Sequence, residues 1–323
     1  MDSEKSVLDA NELFELGIDS LISVSALHGR GFHELEDALV QALPAVEEPT
    51  DSQVEDVIRV AVVGRPNAGK SSLINRLAGE DRVLVDSRPG TTRDPVDTLL
   101  QRDGQQFLFV DTAGIRRKSR VVKERDTVEV VSVLRAMRAM EEAEIVGLMC
   151  DGALGVAEQD GKILGLAEQR GGAVVVALNK MDQLTRPQLA DAEKKAKEKL
   201  SFAPWIPYVP TSALTGRGTQ ALLRKIVAIR DNFYRRVPTA ELNRFFDSVL
   251  QTHPPPTQGG KAPRLYYVTQ AETAPPHFVV MSNAPESIHF SYQRYVKNQL
   301  RGAFDFEGVP VRVAYRARRR RED

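Results

Sequence analysis

The residues Gly64, Arg65, Pro66, Asn67, Ala68, Gly69, Lys70 and Ser71 constrain this chain more than any others, because they follow directly on the apolar run 57–63. They fit G-x-x-x-x-G-K-[ST], set between a strand-like and a helix-like segment. The spacing has a chemical reason. Glycines let successive backbone N–H groups turn toward phosphates, and the following helix points its positive end at them. Lys70 is placed to reach the β- and γ-phosphates of a nucleoside triphosphate, and Ser71 to put a hydroxyl on Mg2+. Gly64, Asn67, Ala68, Gly69, Lys70, Ser71 and Ser72 form the candidate phosphate cradle.

Three further motifs follow in order, each at the end of an apolar run. Asp111, Thr112, Ala113 and Gly114 close the run that starts at 107. A carboxylate there can hold the Mg2+ shell through water, and the Gly114 N–H can contact the γ-phosphate. Asn179, Lys180, Met181 and Asp182 follow 173–178. Asp182 can accept both the N1–H and the 2-amino group of guanine, an arrangement adenine does not offer. A buried polar group left unpaired costs ~1–3 kcal/mol, so that carboxylate selects GTP over ATP. Thr211, Ser212 and Ala213 are placed to add a backbone N–H to the guanine oxygen. Residues 89–94, PGTTRD, lie where a mobile loop closes on Mg2+ and γ-phosphate, with Thr92 preferred over Thr91. The candidate catalytic set is Lys70, Thr92, Asp111, Gly114 and Asn67, and the candidate Mg2+ ligands are Ser71 and Thr92.

The organisation agrees with these motifs. Strand-like runs at 58–63, 107–111, 145–151, 173–179 and 205–211 alternate with helical patterns near 70–78, 126–142, 159–169, 187–201 and 219–235. Such alternation predicts an α/β fold, a P-loop GTPase domain over 57–237 with a mainly parallel, doubly wound sheet. After Val237 the rhythm changes to a small α+β domain, 238–323. Thr239 is the expected N-cap of a helix carrying Leu242, Phe245, Phe246, Val249 and Leu250, stopped by Pro254, Pro255 and Pro256. Strands at 264–269 and 277–281, a helix near 287–303 and a strand at 309–315 complete it. Residues 46–56, VEEPTDSQVED, read as an acidic linker.

Charge is uneven along the chain although its formal total is zero. Residues 1–57 hold 2 basic and 14 acidic side chains, whereas 236–323 hold 13 basic and 8 acidic. A basic remainder suggests a polyanionic partner. One cysteine, Cys150, excludes a disulfide framework and fits a reducing cytosol; within its apolar run it reads as a small buried hydrophobe. No apolar stretch approaches the ~20 residues that span a bilayer, and no signal-peptide pattern opens the chain. These features predict a cytoplasmic protein with no membrane partner.

Ser25–Gly31 repeats the guanine-loop sequence: SALHGRG there, SALTGRG at 212–218. Both copies follow a strand-like run and precede an amphipathic helix. Residues 1–45 therefore look like the tail of a further copy of the middle domain. With that repeat, GRPNAGKS, PGTTRD, DTAGIRRKSR, NKMD and TSALTGRG resemble the EngA/Der family of Era-like GTPases, and 1–45 resembles the end of that family's first GTPase domain. RVPTAELNRFFDSVLQTHPPP and SIHFSYQRYVKNQLRGAF are similar to its C-terminal KH-like domain. The likeness covers residues 1–323, with the first domain's P-loop, DxxG and most of its NKxD missing; Asp2 falls where that last aspartate would sit.

The resemblance implies a GTP-hydrolysing switch acting in assembly of the large (50S) ribosomal subunit, with rRNA as partner and a monomeric state. Ile115 stands where Ras-like enzymes carry a water-orienting glutamine, so water must be positioned otherwise. Asn67 resembles the asparagine by which related GTPases hold an activating K+; its other reading is a hydrogen bond within its own loop. Arg116, Arg117, Lys118 and Arg120 are either a solvated switch face or a contact with RNA or the KH-like domain. The second domain has no G-x-x-G, the loop by which KH domains clamp a backbone. Its arginines, including Arg316 and 318–321, can still meet phosphates or merely solubilise the end. Two other functions stay open. One is an RNA-binding assembly factor with a structural, non-hydrolysing nucleotide site, and the other is a signalling GTPase acting on proteins.

Overall fold

The computed structural model describes residues 22, 24, 57–80, 82–83, 97–112, 136–256 and 263–317. The chain divides into two compact units, Met1–Val54 and Glu55–Asp323, and all described residues except Ile22 and Val24 lie in the second. The repeat at 25–31, the linker 46–56, the loop 89–94 and the basic residues 116–120 and 318–321 lie outside the described residues.

The larger sheet has seven strands: β1 Val57–Val63, β2 Arg82–Val83, β3 Thr98–Arg102, β4 Gln105–Val110, β5 Ile145–Asp151, β6 Ala173–Asn179 and β7 Tyr208–Pro210, in the order β2-β3-β4-β1-β5-β6-β7. From β4 to β7 every pairing is parallel. The reason is visible in composition. β5 (IVGLMCD) and β6 (AVVVALN) are buried at every position, which is how strands read when helices cover both faces of a parallel sheet. Helices α1 Lys70–Glu80, α2 Glu158–Arg170, α3 Arg186–Lys199 and α4 Thr219–Tyr234 connect them, with further helical residues at 136–142. Each parallel strand thus delivers its C-terminal end, and the loop after it, to one edge of the sheet.

The strands expected in this sheet need two corrections. The expected set omits the antiparallel edge β2–β3, which a two-residue turn joins to β4; Asp103 and Gly104 both sit at positive φ there, 49° and 80°. That is the asparagine/aspartate–glycine hairpin geometry. The run 205–211 is strand only over β7; Trp205 and Ile206 are buried ahead of it, and the Trp205 carbonyl accepts from Gly308 N–H instead of pairing in the sheet.

The C-terminal domain contains α5 Thr239–Thr252, β8 Leu265–Glu272, β9 His277–Ser282, α6 Phe290–Phe304 and β10 Arg312–Ala317, with sheet order β10-β9-β8. α5 begins at Thr239, but Pro238 is its N-cap and no side chain caps it. Leu242, Phe246 and Val249 on α5, and Tyr292, Val296 and Leu300 on α6, form apolar stripes at helical spacing. The last strand starts later than 309, at Arg312, where its pairing with β9 begins; Val309 and Val311 are buried ahead of it.

One of two core clusters runs from Ile58, Leu73 and Phe107 under the large sheet through Phe233 and Val237 to Phe246, Phe278 and Leu300, the other lying around Val146, Leu148 and Ile163. Backbone bonds join the two parts. Val174 N–H donates to Gly308 O at 2.7 Å, Gly308 N–H to Trp205 O at 2.8 Å, and Ala274 N–H to Phe233 O at 3.0 Å. Lys225 pairs with Glu307 at 2.9 Å, and the Arg301 guanidinium lies 5.0 Å from the Trp205 ring centroid. Burial holds the pKa of that guanidinium down to about 10. Among the described residues, no helix is long and apolar enough to cross a membrane.

Candidate nucleotide site

The phosphate cradle forms where β1 ends and α1 begins, so the helix N-terminus points into the loop. Asn67 is exposed and takes the left-handed conformation, φ 64°, which asparagine tolerates better than most residues. Gly69 has φ 103°, and a Cβ there would lie 2.1 Å from Asn179 Nδ2, so only glycine fits. Ala68 is buried, Ser71 half-buried and Ser72 exposed on the first turn of α1. Lys70 Nζ donates to the carbonyls of Gly64 and Arg65, each at 2.7 Å. The ammonium is therefore held over the mouth of the loop by the loop's own backbone.

The residues expected from sequence to meet the base gather at the ends of β6 and β7. Asn179 is 2% exposed, and its amide spans two loops: Nδ2 donates to Ala68 O at 2.8 Å, and Oδ1 accepts from Ala213 N–H at 2.9 Å. Lys180 is left-handed (φ 63°) and its Nζ lies 2.6 Å from Asp151 Oδ2. Burial alone would raise the Asp151 pKa. The Lys180 hydrogen bond and charge and the Leu154 and Ala153 amides outweigh it and hold the carboxyl below its ordinary value. Asp182 is exposed at the rim. Ser212 is buried, its N–H donating to Arg217 O at 2.8 Å.

Of the loop 211–213, the Ala213 N–H donates to Asn179 Oδ1. Arg76 on α1 holds the same loop from the other side, Nε donating to Ala213 O at 3.4 Å and Nη2 to Leu214 O. Asp111 follows β4 with φ 53°, and its N–H donates to Asp97 Oδ1 at 3.0 Å. Beside it the Thr98 and Thr112 hydroxyls meet at 2.8 Å. Thr92 and Gly114 lie outside the described residues.

The structure thus brings together Gly64, Asn67, Ala68, Gly69, Lys70 and Ser71 in one loop, and Asn179, Ser212 and Ala213 in a second cluster tied to it. Sequence reasoning missed Asp151, Arg76, Arg65 and Asp160. Arg65 Nε donates to Asp160 Oδ2 at 3.0 Å and Nη2 to Gly155 O at 2.8 Å. No sequence signal joins partners 95 residues apart. Cys150 is fully buried, and burial with Asp160 nearby pushes its thiol far up, so it is an inert core residue.

Comparison with known proteins agrees with this geometry. Residues 59–180 match the family described as "50S ribosome-binding GTPase", 130–231 the "Elongation factor Tu GTP binding domain", and 236–316 the "KH-domain-like of EngA bacterial GTPase enzymes, C-terminal". The GTPase Der of Moorella thermoacetica is 43% identical over 313 residues, which is 96% of this chain and 70% of that protein. The chain belongs to the Der (EngA) family of GTPases. The Der of Natranaerobius thermophilus is 40% identical over 97% of this chain and 71% of its own length. A solved structure of a point variant of Aquifex aeolicus Era bound to GDP·AlF4− is also similar, at 20% identity. The match covers 81% of this chain and 93% of that one, with a TM-score of 0.41, too loose a likeness to carry an argument. As a Der-family member the chain binds guanine nucleotide, hydrolyses GTP and combines a P-loop α/β domain with a KH-like domain.

Proposed function

We propose that this Der-family chain is a GTP-driven switch acting in assembly of the large ribosomal subunit. The observation that carries the reading is the continuous core and main-chain bonding between the nucleotide-bearing sheet and the C-terminal domain, Val174 to Gly308 above all. A nucleotide site built into one body with a KH-like module suits a protein that reports its nucleotide state to RNA. The matching family's description, a ribosome-binding GTPase, supports the same partner.

In this reading the GTPase domain spans 57–237 and the KH-like domain 238–323, preceded by a segment that resembles the end of a further GTPase domain (1–45) and a linker (46–56). Lys70 and the N–H groups of the cradle bind the phosphates, and Asp182 reads the guanine edge. Asn179 works mainly by fixing the two loops against each other. Ser71 on α1 and Asp111 after β4 end neighbouring parallel strand–loop units, an all-oxygen pair suited to Mg2+. Thr92 would complete that set. When bound, Mg2+ neutralises charge on the β- and γ-phosphate oxygens. Thr92 and the segment after Gly114 order around GTP and relax after hydrolysis.

Ile115 cannot orient water, and Asn67 is the residue we assign to a K+ that would compensate. In support, Asn67 is exposed, and among the described residues its side chain makes no hydrogen bond within its own loop. The protein is proposed to work as a cytoplasmic monomer, with exposed arginines such as Arg316 meeting rRNA phosphates.

A depletion experiment tests this reading. Cells depleted of the natural protein should accumulate immature large-subunit particles, and the wild-type gene should restore them while a Lys70→Ala version does not. Normal large-subunit profiles after depletion would refute the role. Full rescue by Lys70→Ala would favour the RNA-binding factor with a structural nucleotide site.

A further inference from the structure

We propose that Asp160 is a positioning residue for GTP hydrolysis, acting on Lys70 through Arg65. Asp160 lies in the first turn of α2 with its side chain 0% exposed. Its Oδ2 accepts from Arg65 Nε at 3.0 Å and from Ala157 N–H at 2.8 Å. The second arm of Arg65, Nη2, donates to Gly155 O at 2.8 Å. Arg65 is thus fastened at two points, to a helix and to the loop that follows β5.

The consequence falls on the lysine. Arg65 O is one of the two carbonyls that hold Lys70 Nζ, the other being its neighbour Gly64 O. A short chain of contacts therefore runs from a buried carboxylate through one residue's side chain and backbone to the phosphate-binding ammonium. Each link is strong for a stated reason. A wholly buried carboxylate is costly unless paired, so Asp160 holds its guanidinium partner tightly. The guanidinium is a planar fork, so two fixed partners set its position and orientation together. Misplacing a catalytic group by ~1 Å can cost about a hundredfold in rate, so a brace of this kind belongs to the reaction as well as to the fold.

Among the described residues, Asp160 Oδ1 has no hydrogen-bond partner. The carboxylate meets Arg65 through one oxygen only, and Asp160→Asn can keep its shape while removing its charge. That makes the substitution a sharp probe. The proposal rests on GTP hydrolysis and is independent of the ribosomal reading.

The test uses the full chain and compares wild type with Asp160→Asn, Arg65→Gln, Arg65→Lys and the Asp160→Asn/Arg65→Gln double variant. Steady-state GTP turnover and GDP affinity are measured together. The expected result is a drop in kcat of about tenfold in Asp160→Asn and in Arg65→Gln, with GDP affinity within about threefold of wild type. The double variant should be no more than about twofold worse than either single one, because the two residues act as a unit. Arg65→Lys should recover part of the loss. Unchanged kcat in folded Asp160→Asn, losses that multiply in the double variant, or an equal collapse of GDP affinity would each overturn the proposal. If Asp160→Asn does not fold, Arg65→Gln decides alone: intact turnover refutes the brace, and a tenfold loss with GDP binding kept supports it.

Discussion

The side-chain amide of Asn179 donates to the backbone carbonyl of Ala68 across 2.8 Å, so the residue that ends β6 is fastened to the phosphate loop 111 positions earlier. Its other end takes the Ala213 N–H at 2.9 Å. One buried side chain therefore fixes the distance between the loop proposed to meet phosphates and the loop proposed to meet the base. A nucleotide must span that distance, which is why the amide matters more as a strut than as a contact.

Asn179→Ala removes both bonds and leaves the Ala213 N–H without its acceptor. At ~1–2 kcal/mol for each buried bond, guanine nucleotide affinity should fall by about thirtyfold to several hundredfold. Titration with a fluorescent GDP analogue checks this.

Asp182 is exposed at the rim of the same cluster. Asp182→Asn presents an N–H donor where the guanine 2-amino group needs an acceptor, so GTP should bind at least about tenfold more weakly. Xanthosine triphosphate carries an oxygen at that position and should bind the variant better than GTP does. Competition between the two nucleotides reads the preference directly.

The Lys180–Asp151 pair predicts a pH dependence. Asp151 has its carboxyl held below the unfolded value, so its stabilising contribution is present above the ordinary carboxylate range and fades as pH falls through the depressed folded value. Asp151→Asn should therefore be less stable than wild type near neutral pH. The two should converge only once pH has fallen below that depressed folded value, where both carry an uncharged group. Urea unfolding across that range gives the comparison.

Gly308 sits in the seam between the domains with φ 76°, and a Cβ there would lie 2.6 Å from Ile229 Cγ1. Gly308→Ala combines a left-handed penalty with overpacking, together about 2–4 kcal/mol. Thermal unfolding should show one transition moved down, because the core is continuous through both domains.

Much of this was legible in the sequence where the chemistry is local. The P-loop, the run before Asn179 and the stripe Leu242, Phe246, Val249 each lie within a dozen residues, and period and motif suffice to place them. The edge strand β3 escaped because its sequence, TLLQR, does not continue the parallel alternation; the Asp103–Gly104 turn was the available signal. The shortened β7 and late β10 follow from the seam at Trp205 and Gly308, whose partners lie far along the chain. The same holds for Arg65 with Asp160 and for Arg76 with the loop at 213–214, pairings that only the fold creates.

The most direct measurement is the affinity of this chain for purified large ribosomal subunits, by sedimentation, with a non-hydrolysable GTP analogue and with GDP, small subunits serving as the control. The account predicts binding to large subunits that is at least about tenfold tighter with the analogue, a coupling of about 1.4 kcal/mol. Equal affinity in the two nucleotide states, or equal binding to both subunits, would contradict it.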